Sequence, residues 1–145
     1  MYILLAFFTG ALIPVQAATN TAFGKAVGSP FLTGIMVFLV ALLVTGAYLL
    51  ISRTPLPTVS QLSKAPPFSY AGGLVMATYV IMITFVAPKL GIGNAIALVV
   101  TGQIFSALMI DHFGLFNTVV RSVNATRVAG ALLMVAGVYL VMKRQ

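Results

Sequence analysis

Residues Pro30–Ser52 read PFLTGIMVFLVALLVTGAYLLIS, a run without one charged side chain. As a helix at ~1.5 Å per residue it is roughly 35 Å long, enough to cross the ~30 Å hydrocarbon core of a bilayer. Ser29 supplies an N-cap hydroxyl and Pro30 suits the first helical position, so the run carries its own start signal. Arg53 follows at once, where a cation reaches the headgroups. Working outward, four more apolar stretches have the same character: about Tyr2–Ala22, Phe68–Ala87, Gly93–His112 and Ala125–Met142. The expected fold is an all-α integral membrane protein, a single transmembrane domain built as a five-helix bundle.

Composition agrees. The mean hydropathy is +1.12. Charged residues make up 6% of the chain, against roughly 25% in soluble domains. The net charge of +7 would suit nucleic acid, but the basic residues are scattered singly at span ends, with no stripe on one element. They read as topology signals and lipid anchors, so no nucleic-acid partner is expected. Cysteine is absent, which removes disulfides, thiolate metal sites and thiol nucleophiles. The first stretch does not read as a signal peptide: it lacks a basic n-region and runs on into Pro14, Gln16 and Asn20.

With the N-terminus on side A of the membrane, that side receives Arg53, Lys64, Arg121 and Arg127. Side B receives Lys25, Lys89, Lys143 and Arg144. An even split leaves the positive-inside rule almost nothing to act on. It favours insertion both ways up and two-fold inverted pairs over one orientation set by a weak cue, such as the N-terminal amine or a partner chain. The chain has no internal repeat, and an odd number of spans puts its termini in opposite compartments.

Helix punctuation sharpens the picture. The first span is expected to end at Phe23-Gly24-Lys25, with the glycine as a left-handed cap. Residues 53–67, with prolines at 55, 57, 66 and 67, form the longest linker. Pro88 is expected to stop the third span, and Lys89-Leu90-Gly91-Ile92 to turn tightly into the fourth. The fourth ends at Asp111-His112-Phe113-Gly114, and residues 115–124 are expected at the interface.

One acidic residue and one histidine cannot furnish a metal cage, a carboxylate pair or a nucleophile triad, so neither an enzyme nor a cofactor or metal site is expected. Polar groups inside apolar helices are more informative, because they are costly in lipid and face a bundle interior or cavity. Thr9, Gln16 and Asn20 share one face of the first span, just around Pro14, which frees a backbone carbonyl. Cavity lining is favoured over interhelical hydrogen bonding for Gln16 and Asn20. In the fourth span Asn94, Thr101 and His112 lie along one face, with Gln103 and Ser106 nearly opposite. Asp111, the only carboxylate side chain, is expected to form an interfacial ion pair with Arg121 or Arg127, with proton coupling at Asp111 and His112, or direct ligand contact by Asp111, as the alternatives. Gly130 and Gly137, with Ala129 and Ala136 beside them, form a small-residue stripe suited to close helix packing, favoured as a dimer contact over closure of the bundle.

The run Gln16-Ala17, Asn20, Gly24, Gly28-Ser29-Pro30, then Pro88 and Gly91, then Leu98-Val99-Val100-Thr101-Gly102-Gln103, then Asp111-His112-Phe113-Gly114-Leu115-Phe116, resembles the YdcZ-like family, a five-span branch of the drug/metabolite transporter superfamily. The last span, from Gly130 to Gly137, is also similar to the final helix of the small multidrug resistance transporters, where it serves dimerisation. The resemblance implies a helical bundle, often an antiparallel pair, working by alternating access. One departure matters. Those transporters carry a glutamate in the first helix for cations and protons, whereas Pro14 to Gln16 holds no acid here. The cation/proton exchange mechanism is therefore not carried over.

The expectation is a secondary-transporter subunit in a bacterial inner membrane, moving a small polar metabolite by alternating access. It would act as an inverted homodimer or as a heterodimer with a paralogue. Gln16 and Asn20 are the first candidates for substrate contact, then Gln103, Asn94 and Thr101. The rival readings are a small dual-topology channel and a non-transporting membrane partner.

Overall fold

In the computed structural model, which describes residues 1–143, five helices are long and apolar enough to cross a membrane. Helix α1 spans Tyr2–Val27 and α2 spans Pro30–Ser52; a short helix, α3, Val59–Ser63, lies in the linker. Then come α4, Ala71–Leu90, entered through a 3-10 turn at Pro67–Tyr70, α5, Ile92–Phe113, and α6, Ala125–Met142. No strand occurs among the described residues. Arg144, which the charge count assigns to side B, lies outside the described residues.

The local signals explain most of the boundaries. The Ser29 hydroxyl accepts the Leu32 N–H at 3.3 Å, and Pro30 opens α2. Thr58 and Gln61 form a reciprocal capping box on α3. Asn124 caps α6 by accepting the Arg127 N–H at 2.9 Å.

Two expected boundaries are corrected. Gly24 does not cap α1: the helix continues to Val27, and Gly28, at φ +71°, makes the turn instead. Pro88 does not stop α4, which runs on to Leu90 and turns at Gly91, φ +79°. A proline in the last turn removes only one backbone hydrogen bond, to the Thr84 carbonyl, and spans tolerate that loss.

The chain divides into two compact units. Residues 17–85 form one; residues 1–16 with 86–143 form the other. In the unit of 17–85, small and β-branched residues make the core. Ala17, Asn20 and Thr21 of α1, Thr33 and Gly34 of α2, and Val80, Ile83 and Thr84 of α4 are buried. Gly24 is the pivot: a Cβ there would stand 2.8 Å from Thr84 Cγ2 and 3.1 Å from Thr33 Oγ1. Without a strong hydrophobic drive between helices in lipid, such close approach is what associates them.

In the other unit α5 packs against α6, with Ala131 buried. Gly114, at φ +60°, ends α5, and a 3-10 turn at Leu115–Asn117 leads into an extended stretch. Most large apolar side chains of the spans remain exposed in the single chain, as suits helices solvated by lipid.

Gly24→Ala is expected to destabilise the protein by about 1–3 kcal/mol, because both threonines are stiff at χ1 and hold backbone hydrogen bonds. Gly46, with nothing within 4 Å of its Cβ position, is the control. Thermal unfolding in detergent reads the difference; equal midpoints for G24A and G46A would refute the pivot.

Candidate functional site

The site begins with what threonine does in a helix surrounded by lipid. Its hydroxyl donates to the carbonyl one turn back and so satisfies itself. Thr9, Thr33, Thr45, Thr78, Thr84 and Thr101 all do this, to Leu5, Ser29, Ala41, Leu74, Val80 and Ala97, at 2.7–3.0 Å. Asn94 does the same with its carboxamide, whose Nδ2 donates to the Leu90 carbonyl at 3.0 Å.

Two adjacent residues of α1 break the pattern. Asn20 is 5% exposed and Thr21 7% exposed. Asn20 Nδ2 and Thr21 Oγ1 are nonetheless buried without a hydrogen-bond partner. An unpaired buried polar group costs about 1–3 kcal/mol, and lipid offers it no water. These are the most anomalous polar atoms among the described residues.

Asn20 borders a cleft of about 380 Å³ between α1 and α2, within the unit of residues 17–85. Thr19, Phe23, Thr33, Met36, Val37 and Val40 complete its lining. No lining residue carries a charge. Thr33 meets α1 at Gly24, where Thr84 also approaches. The hydroxyl protons of Thr33 and Thr84 are committed to Ser29 and Val80, so toward a ligand these oxygens are acceptors.

The other residues singled out in the sequence fall elsewhere. Gln16, half-buried, belongs to the unit of residues 1–16 and 86–143, as do Asn94, Thr101, Gln103, Asp111 and His112. Asn94 is buried, Thr101 is half-buried and Gln103 is exposed. Asp111 pairs with Arg127 at 3.0 Å, with both side chains about one-third exposed. Arg121 meets this pair through its backbone: its N–H donates to the Asp111 carbonyl and its own carbonyl accepts from Arg127 Nη1. Gly130 and Gly137 have nothing within 4 Å of a Cβ position, and Ala129 and Ala136 are exposed, so this stripe of α6 is uncovered in the single chain. Among the described residues no group of His, Asp or Glu could hold a metal ion.

Sequence reasoning singled out Asn20 but missed Thr21, Thr33 and Thr84. The available signal was Gly24, four residues after Asn20: a glycine inside a helix marks a place where neighbouring helices come close.

A family model described as "Putative inner membrane exporter, YdcZ" matches residues 1–140. No curated protein matches, and no solved structure does. The chain belongs to the YdcZ family and is a multi-pass membrane protein.

Proposed function

We propose that this YdcZ-family chain is a secondary-transporter subunit that exports a small neutral polar solute across the inner membrane by alternating access, and that Asn20 contacts the solute. The family's description as an exporter supports the direction. The observation that carries the reading is the buried, unpartnered carboxamide nitrogen of Asn20, a residue that lines the α1–α2 cleft.

The hydrogen-bonding inventory narrows the substrate class. Asn20 Nδ2 offers a donor, and Thr33 Oγ1 offers acceptor lone pairs. With no charge in the lining, a cation would lack a counter-ion, and so would a carboxylate. Phe23, Met36, Val37 and Val40 suit an apolar face. A neutral solute bearing a carbonyl or hydroxyl groups fits this set best. Gln16 and Gln103, in the other unit, are proposed as solute contacts in their own right. Asn94 and Thr101, already bonded to their own helix, come after them.

The transporting unit is proposed to be an inverted pair, of identical chains or of the chain with a paralogue. The even division of basic residues supports it. So does the uncovered Gly130/Gly137 stripe with Ala129 and Ala136, which would pack closely against a second α6.

In inside-out vesicles screened with neutral sugars, amides and nucleosides, Asn20→Ala is expected to slow transport of the accepted solute about tenfold while the pair still assembles. Asn20→Asp, which puts a carboxylate in the cleft, shifts preference toward lipophilic cations. Wild-type rates in N20A, or loss of the pair, would make Asn20 a packing residue.

Topology is tested separately through the absence of native cysteine. With one cysteine appended at the C-terminus, about half of the chains in intact cells are expected to react with an impermeant maleimide. Labelling from one side only would sink the homodimer of inverted chains.

A further inference from the structure

The connector between α5 and α6 is held down by an unusual set of contacts, all within the unit of residues 1–16 and 86–143. His112, in the last turn of α5, accepts the Val123 N–H on its Nδ1 at 3.2 Å. Both residues also line an apolar cavity of about 220 Å³ between α5 and α6, walled by Phe105, Met109, Val128 and Leu132 among others. The connector itself is strained. Phe116 and Asn117 lie at φ +57° and +62°, a region that side-chain-bearing residues seldom adopt.

From this arrangement we propose that His112 is an acid-released latch, which holds the Val123 end of the 115–124 connector against the α5–α6 cavity when neutral and lets that end go when protonated, while Arg121 stays tied to the Asp111 carbonyl. The inference is independent of the solute site at Asn20.

The proton logic is direct. To accept from Val123, the imidazole must be neutral with its hydrogen on Nε2. A second proton, taken from water, occupies the Nδ1 lone pair, so two N–H groups then face each other. Asp111, on the same helix, is the only carboxylate in the chain and is engaged by Arg127 of α6. Arg121, the connector's own cation, meets Asp111 and Arg127 through its backbone N–H and carbonyl. The latch is therefore closed at higher pH and open at lower pH.

The test is a nitroxide label at Ser122→Cys, an exposed connector position beside Val123 in a chain without native cysteine. Label mobility is read by electron paramagnetic resonance in lipid nanodiscs. Between about pH 8 and about pH 5, the range over which imidazole side chains charge, the mobile population is expected to rise about fivefold, the worth of one hydrogen bond. In His112→Gln, which does not titrate, it stays constant across the same range. In His112→Lys, permanently charged, it is high at both ends. A rise of equal size in H112Q, or no rise with His112 present, would overturn the latch.

Discussion

Lipid leaves a polar group no partner except the protein itself, and this single constraint organises the chain. Helical threonines turn their hydroxyls back on their own carbonyls, Asn94 does likewise, and Ser29, Thr58 and Asn124 close helix starts. The connectors obey it too, since the stretch after α5 is tied to Asp111 and His112. Against this background the unpaired atoms of Asn20 and Thr21 stand out as a cost that no hydrogen bond among the described residues offsets. Natural sequences retain such costs chiefly at functional sites.

Charge is used with similar economy. The only acid in the chain sits at one end of α5 rather than among the polar groups of the first span, where a cation carrier would need it. Its partner is Arg127, so it organises a helix end and not the α1–α2 cleft. In the reading proposed above, solute recognition falls to neutral carboxamide and hydroxyl groups, and any response to pH to the imidazole of His112. Helix association depends on neither. It rests on small residues, Gly24 where α1, α2 and α4 meet and Ala131 where α6 meets α5.

Much of this was legible in the sequence, because hydropathy and capping act locally. The last span, Ala125–Met142, appears with the boundaries read from the residues, and Ser29-Pro30 starts α2 as expected. Gly24 and Pro88 misled for a physical reason. Breakers are read against water, but inside a bilayer a helix has no solvent to fray into, so both residues stay helical. Asn20 was visible because a carboxamide in an apolar helix is rare. Thr21, Thr33 and Thr84 were not, since their role depends on which helices meet at Gly24, and periodicity along one helix does not carry that information. Nor does it distinguish a threonine that bonds to its own backbone from one that does not.

If Asn20 is kept for a ligand and not for packing, the protein without ligand should gain stability when the carboxamide is removed. Asn20→Leu, nearly equal in volume, removes the unpaired nitrogen while preserving the fit. If the carboxamide is an unmet polar group, the substitution relieves about 1 kcal/mol or more and raises the unfolding midpoint of the purified protein by about 3 °C. A midpoint that falls by a similar amount would mean that Asn20 holds the helices together, and would contradict the account.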